Sequence, residues 1–423
     1  MSHLLERHPL RLGSGPGASG VVLLLLAATF LPTGAAFAQE TGERTLDEIK
    51  TESIARSKAG MYPLIGLDPA DVQEAFNSIH SKDPDEWAAG FSGVADRYMA
   101  RAKAEEKTDP AQANTDYLRA WRLYYFGNWP YPLSAGKQRA AAKALEAFAA
   151  HGRLLDPPIE MVRIPFEGSE IHGYMRMPKN APGPVPVVIA INGADSRKEN
   201  MSDNFDAAIS WGIGYLAVDT PGTGECPIKG SPTAERIYSR VIDYLLTRRD
   251  VDKDRIAAEG QSYGAYWAVK LAIVERARLR VVVAQSAGVD AGFQHPPSKE
   301  ALLRNREYLF GLQDVVLSLY EGTKNFDDLA ALYPKLSLVN QGLIGKPTTP
   351  MLIIAGLKDT LVPISDTWLI LSNGDVPKDA WINPQGGHLG RQTGVWPDPK
   401  IFRQVIIPYL ARHLDVKPPK DLS

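Results

Sequence analysis

The chain is 423 residues long, 44% hydrophobic and 23% charged, with a formal net charge of -2. That length can bury a large core and has room for two domains. The near-neutral balance excludes the basic excess of a nucleic-acid binder and the acidic run of a disordered tail.

The first 38 residues read as a targeting segment. Arg7 and Arg11 precede the apolar run VVLLLLAATF from Val21 to Phe30, and Ala36-Phe37-Ala38 forms a small-x-small cleavage site. A bilayer span needs about 20 apolar residues, so the run is too short, and Pro32 follows it. Cleavage is expected after Ala38, giving a periplasmic or secreted protein with no membrane anchor. Cys226 is the only cysteine, so no lipid attaches near the cleavage site and no internal disulfide forms.

Residues 39–156 carry apolar positions at helical spacing, in DVQEAFNSIH, EWAAGFSGVADRYMARAKAEE and ANTDYLRAWRLYYFG. Asp83-Pro84, Asp109-Pro110 and Trp129-Pro130-Tyr131-Pro132 punctuate them. A helical N-terminal domain is expected here, joined to the rest near Asp156-Pro157-Pro158.

From residue 157 to 423 the pattern turns to strands alternating with helices. Strands are expected at 160–166, 171–177, 186–191, 215–219, 255–259, 280–285, 351–355 and 380–383. Helices are expected at 200–211, 233–248, 263–277, 364–372 and 401–413. The first two strands suit a hairpin. The remaining strand-helix-strand order implies an eight-stranded, mostly parallel α/β sheet with helices on both faces. A helical insertion over 289–345, including ALLRNREYLFGLQDVVLSLYEG, interrupts the rhythm.

In such a sheet, reactive groups collect at the carboxyl ends of strands. Gly260-Gln261-Ser262-Tyr263-Gly264 sits between an expected strand and an expected helix. Two glycines let the backbone fold sharply and expose the Ser262 hydroxyl as a nucleophile; the plain alternative is an ordinary strand-to-helix turn. A serine needs a base, and of the histidines after it His388, in the loop NPQGGHLG behind the last strand, is best placed. His295 lies ahead of the strand that should carry the acid, and His413 lies in the C-terminal helix. Asp359, in GLKDTLVP, is the expected acid, with Asp290 its rival.

The oxyanion formed at the substrate carbonyl needs N–H donors. Tyr263 should supply one, and the loop INGADSRKEN the other, from Ala194 or, second, Gly193. Asp195 beside them either makes a turn or cap, or handles a substrate proton as an auxiliary acid. Asp219-Thr220-Pro221-Gly222-Thr223-Gly224 lacks the lysine of a phosphate-binding loop and reads as structural. The aromatic run Trp121, Tyr124, Tyr125, Trp129 and Tyr131 reads first as domain packing and second as a pocket wall. No residues have metal-ligand spacing, and no cofactor is expected.

With these residues in place, the chain resembles the α/β-hydrolase superfamily: the Ser262 turn, Asp359 in GLKDTLVP and His388 in GGHLG match its triad positions. YLRAWRLYYFGNWP and the NGADSRKE loop make it similar to the group of FrsA-like esterases, 2,6-dihydroxypseudooxynicotine hydrolase and fungal polyketide-shortening hydrolases, over about residues 85–415. The resemblance implies hydrolysis of an ester, or of a C–C bond next to a ketone, in a small acyl substrate. It also implies a functional acid in the loop that holds Asp195. Asn192-Gly193 stands where the group carries His-Gly or Gly-Gly. A peptidase or amidase on the same triad is the main alternative, although the N-terminal region lacks the short repeated strands of a propeller. A catalytically silent binding protein on the same scaffold is the second. No nucleic-acid partner is expected, and a homodimer stays open.

Overall fold

The computed structural model describes residues 42–419. The expected targeting segment and its cleavage site lie outside them. Five helices come first: α1 (Leu46–Ala59), α2 (Pro69–Asn77), α3 (Pro84–Glu105), α4 (Pro110–Asn128) and α5 (Ala135–Arg153). Asp68, Asp83 and Asp109 each accept hydrogen bonds from the first turn of a helix whose N1 residue is proline. The Asp-Pro pairs are therefore start signals: the carboxylate satisfies orphan N–H groups, and proline gives up a donor that had no partner.

Eight strands follow: β1 (Glu160–Phe166), β2 (Ser169–Arg176), β3 (Val185–Ile191), β4 (Gly214–Val218), β5 (Val251–Gln261), β6 (Val281–Gln285), β7 (Met351–Gly356) and β8 (Asp379–Asn383). They form one sheet in the order β1-β2-β4-β3-β5-β6-β7-β8. β1 and β2 make the expected hairpin and β2 runs antiparallel to β4; every other pairing is parallel. β3, β4, β6 and β7 are buried along their whole length, as strands covered on both faces must be.

One hydrophobic cluster runs from α1–α5 through Tyr174, Val188 and Tyr215 of the sheet to Phe402 and Leu410. A second fills the opposite face, from Val187 and Ile189 through Trp267 to the insertion residues Leu319 and Leu336. No helix among the described residues is long and apolar enough to cross a membrane.

Several boundaries differ from the sequence reading. β5 begins at Val251 rather than Arg255: half-buried Asp252 and exposed Lys253 and Asp254 hide a strand that projects beyond the core. The helix expected at 200–211 is broken into Lys198–Met201, a 3-10 turn at Ser202–Asn204 and Phe205–Ser210. The last helix passes through a π-turn at Phe402–Ile406 just ahead of Pro408, whose missing N–H cannot continue an α-helical ladder. In the insertion, Gly311 at φ 74° separates Lys299–Arg304 from Leu312–Leu319, so that stretch is not continuous helix.

Candidate active site

The sheet register sets the site. Ile191 at the end of β3 pairs with Gly260 of β5, and Gln261 pairs with Gln285 at the end of β6. The loops after β3, β5 and β6 therefore leave the sheet side by side. Ser262 stands at φ 54°, ψ -118°, a region that strains any residue with a Cβ. Its N–H donates to the Gln285 carbonyl at 2.8 Å, and the helix Tyr263–Val274 starts directly after it.

Ser262 Oγ lies 2.8 Å from His388 Nε2. His388 Nδ1 lies 2.9 and 3.1 Å from the two carboxylate oxygens of Asp359. Asp359 Oδ1 also accepts the N–H groups of Leu361 and Val362, each at 2.9 Å. Burial alone would push the Asp359 carboxyl up, but the His388 charge and these hydrogen bonds outweigh it and hold it below the usual range. Burial likewise disfavours the His388 imidazolium. Asp359 overrides that, aided by Glu307 and opposed by Arg391, so the imidazole is a stronger base than in water.

The rival residues are placed elsewhere. Asp290 accepts from Ser337 Oγ at 2.5 Å and Gln294 Nε2 at 2.9 Å. His413 packs against the Tyr409 ring. His295 ends the short helix Ala291–Gln294.

Tyr263 is the first residue of its helix, so its N–H has no acceptor one turn back. Gly193 lies against Ser262: a Cβ built on it would stand 3.4 Å from Ser262 Cβ. Its N–H, however, donates to Ser196 Oγ at 2.9 Å. Ala194 follows without such a commitment. The buried Asn192 amide fastens this loop, donating to the carbonyls of Gly193 and Ser196 and to Thr223 Oγ1 at 2.8, 2.7 and 3.1 Å, while Thr220 N–H donates back at 2.9 Å. The far end is fixed by Lys198, whose N–H and Nζ both donate to Asp219 at 2.9 Å. The Asp219 loop thus holds a lysine and the Glu225 N–H in place.

A cavity of about 590 Å³ opens over these groups. The insertion contributes Phe293, Leu312 and Val316 to its wall. The N-terminal helical region contributes Tyr62, Tyr125 and Trp129. Tyr62 and Tyr125 hydroxyls lie 2.7 Å apart, Trp129 Nε1 donates to Tyr62 at 3.2 Å, and Tyr125 donates to the Asp195 carbonyl at 3.1 Å. The aromatic run of α4 and the loop after it is divided by its geometry: Trp121, Tyr125 and Trp129 line the cavity, whereas Tyr124 bonds Asp96 and Tyr131 lies under Arg197. Asp195 lines the cavity too, and its Oδ2 is buried without a hydrogen-bond partner among the described residues. Its charge adds to burial in pushing the Tyr62, Tyr125 and Tyr308 hydroxyls up. No group of side chains that could hold a metal ion occurs among the described residues.

Sequence reasoning missed Tyr62, Glu307, Tyr308 and Arg391, all of which line the cavity. None belongs to a motif. The one available signal for Arg391 was its place three residues after His388.

The family model for FrsA-like esterases matches residues 76–383. The chain belongs to this family. The FrsA-like chain is 26% identical to the esterase FrsA of Serratia proteamaculans over 333 residues, 73% of this chain and 78% of that one. It is 28% identical to the α/β hydrolase ucsC of an Acremonium species over 253 residues, 53% of this chain and 51% of that one. It spans about half the length of the fungal hydrolases it matches. Among solved structures, 2,6-dihydroxy-pseudo-oxynicotine hydrolase superposes with a TM-score of 0.69 at 20% identity, covering 82% of this chain and 93% of that one. AbyA5 superposes at 0.67 and 17%, covering 89% and 96%. These two likenesses establish the α/β-hydrolase fold. The expected fold class and family are both borne out.

Proposed function

We propose that this FrsA-like protein is an exported serine hydrolase that cleaves a small acyl substrate through an acyl-enzyme on Ser262. The observation that carries the reading is the 2.8 Å contact between Ser262 Oγ and His388 Nε2, with Asp359 on the other ring nitrogen. Ser262 Oγ attacks the carbonyl carbon while His388 takes its proton, and Asp359 orients the imidazole and balances its charge. The N–H groups of Tyr263 and Ala194 receive the oxyanion, with Gly193 committed to Ser196. The imidazolium protonates the leaving group as the carbonyl bond to it breaks. Water, deprotonated by His388, then releases the acid and restores Ser262.

A C–C bond beside an activated ketone breaks by the same steps, its leaving group departing as a stabilised carbanion that must gain a proton. The Asp195 carboxylate, whose Oδ2 is buried in the cavity wall without a hydrogen-bond partner among the described residues, favours this second reading over amide cleavage, because it stands where a substrate proton could be held. Export rests on the sequence of residues 1–38 and is tested by cell fractionation of the full chain against a chain lacking them. The activity is tested by a hydrolysis panel of p-nitrophenyl esters of varied acyl length, β-diketones and aminoacyl amides, with Ser262→Ala as control. Turnover of esters or diketones that vanishes in the control supports the reading; turnover that survives in it overturns the reading.

A further inference from the structure

The acid and the base of the site both stand on loops. Asp359 follows β7, and His388 opens a single 3-10 turn after β8. Backbone bonds from Leu357 N–H to the Asn383 carbonyl at 3.1 Å and from Lys358 N–H to the Gly386 carbonyl at 2.8 Å join the two loops at their bases. A side chain from the insertion ties them again, at Thr360 and at His388 itself. Glu307 Oε2 accepts the Thr360 N–H at 2.9 Å and its hydroxyl at 2.7 Å, and Thr360 is the neighbour of Asp359. The other oxygen, Oε1, accepts the backbone N–H of His388. One carboxylate thus grips the backbone of the base and the residue beside the acid.

The segment that carries Glu307 is itself held on two sides. Asn305 Oδ1 accepts the N–H groups of Glu307 and Tyr308, each at 3.0 Å, and Asn305 Nδ2 donates to Thr360 Oγ1 at 3.2 Å. From the N-terminal region, Arg56 donates to the Glu307 carbonyl at 3.1 Å, and Arg44 donates to the carbonyls of Arg306 and Leu309 at 2.7 and 3.0 Å. If Glu307 served only to dock the insertion, its carboxylate would have no reason to spend both oxygens on the two reacting loops.

We propose that Glu307 is a positioning residue of the triad, setting the His388 loop against the Asp359 loop and placing a second negative charge beside the imidazole. This rests on the serine-hydrolase reading above. The charged groups acting on that ring are Asp359 and Glu307, which favour its protonated form, and Arg391, which opposes it. Removing the Glu307 charge weakens the base while leaving Asp359 in contact.

The test is the pH profile of kcat/KM on a p-nitrophenyl ester for the full chain, Glu307→Gln and Glu307→Asp, with the melting temperature and the rate of fluorophosphonate labelling of each. In Glu307→Gln the acidic limb moves to lower pH by about half a unit. Its plateau falls roughly ten- to a hundredfold, through kcat rather than KM. Glu307→Asp keeps the charge, so the limb returns to the wild-type position with an intermediate plateau. A limb that stays in place in Glu307→Gln while the melting temperature drops assigns Glu307 to docking alone and overturns the proposal. If Glu307→Gln does not fold, Glu307→Asp and Thr360→Val decide: each loosens the grip and keeps the charge, so the plateau falls with the limb unmoved, and wild-type plateaus in both overturn the proposal. Failure of the underlying reading looks different, because fluorophosphonate labelling would then be missing from the wild-type chain or persist in Ser262→Ala.

Discussion

Gly260 and Gly264 meet across the Ser262 turn: a Cβ on Gly260 would overlap the carbonyl of Gly264, and one on Gly264 would overlap the carbonyls of Ile191 and Asn192. The two glycines are spaced for contact, and the turn they permit holds Ser262 at positive φ. Gly260→Ala is expected to cost about 2 kcal/mol or more, because backbone rather than a flexible side chain must move. Thermal unfolding reads the loss. Labelling of Ser262 should slow with it, since the strained turn relaxes; an alanine variant of wild-type stability and labelling rate contradicts the geometry.

His388 must be neutral to accept the Ser262 proton. Because Asp359 and Glu307 raise its pKa above 6.5, kcat/KM should rise with pH and reach half its plateau above that value. Asp359→Asn leaves the ring without its counter-charge, so the plateau should fall by about a thousandfold or more. A pH titration of both proteins checks this.

The same pair has a stability signature. The His388 contribution is full below 6.5 and is lost as pH rises through its raised value; that of Asp359 is full above 3.8 and is lost as pH falls through its lowered value. Melting temperature against pH should therefore lose this pair's contribution on both sides of a mildly acidic maximum, and the Asp359→Asn difference curve isolates it.

Glu259 stands on β5, three residues before Ser262. It is fully buried, accepts from Tyr215 and lies 3.4 Å from Gln261 Nε2, and among the described residues it forms no ion pair. Burial pushes its carboxyl from 4.5 up to about 8. A raised carboxyl is bound to its proton in the folded state, so its share of stability is full below 4.5 and drains away as pH rises to about 8. Glu259→Gln should remove that slope and melt higher than wild type at pH 8 by the equivalent of about 1–3 kcal/mol. Equal melting at pH 8 would contradict the prediction.

Asp195→Asn separates the two bond types. If the carboxylate handles a substrate proton, hydrolysis of β-diketones should fall at least tenfold further than hydrolysis of esters, by the usual scale of proton-transfer catalysis at about 10²-fold or more. Equal, small effects on both would return Asp195 to a structural role.

The Ser262 turn was legible because its requirements are local: a strand, two glycines and a helix within a few residues. Asp359 and His388 were legible because the strand order of the sheet dictates where an acid and a base can follow. Glu307 was not, since it acts from an insertion whose path over the sheet no periodicity encodes, and its partners are a backbone N–H and a threonine 53 residues away. Asn192 was seen only as a departure from a pattern, although its amide holds the loop by hydrogen bonds to residues 31 and 28 positions distant. β5 starts four residues ahead of the expected Arg255, its charged start carrying no alternation to mark it.

The central claim is that one hydroxyl forms the covalent intermediate. Intact-mass analysis of the purified chain after a fluorophosphonate, followed by peptide mapping, tests it most directly. The account predicts a single adduct on the peptide holding Ser262, absent in Ser262→Ala and strongly slowed in His388→Ala. An adduct on another residue, or ester turnover that persists in Ser262→Ala, would contradict it.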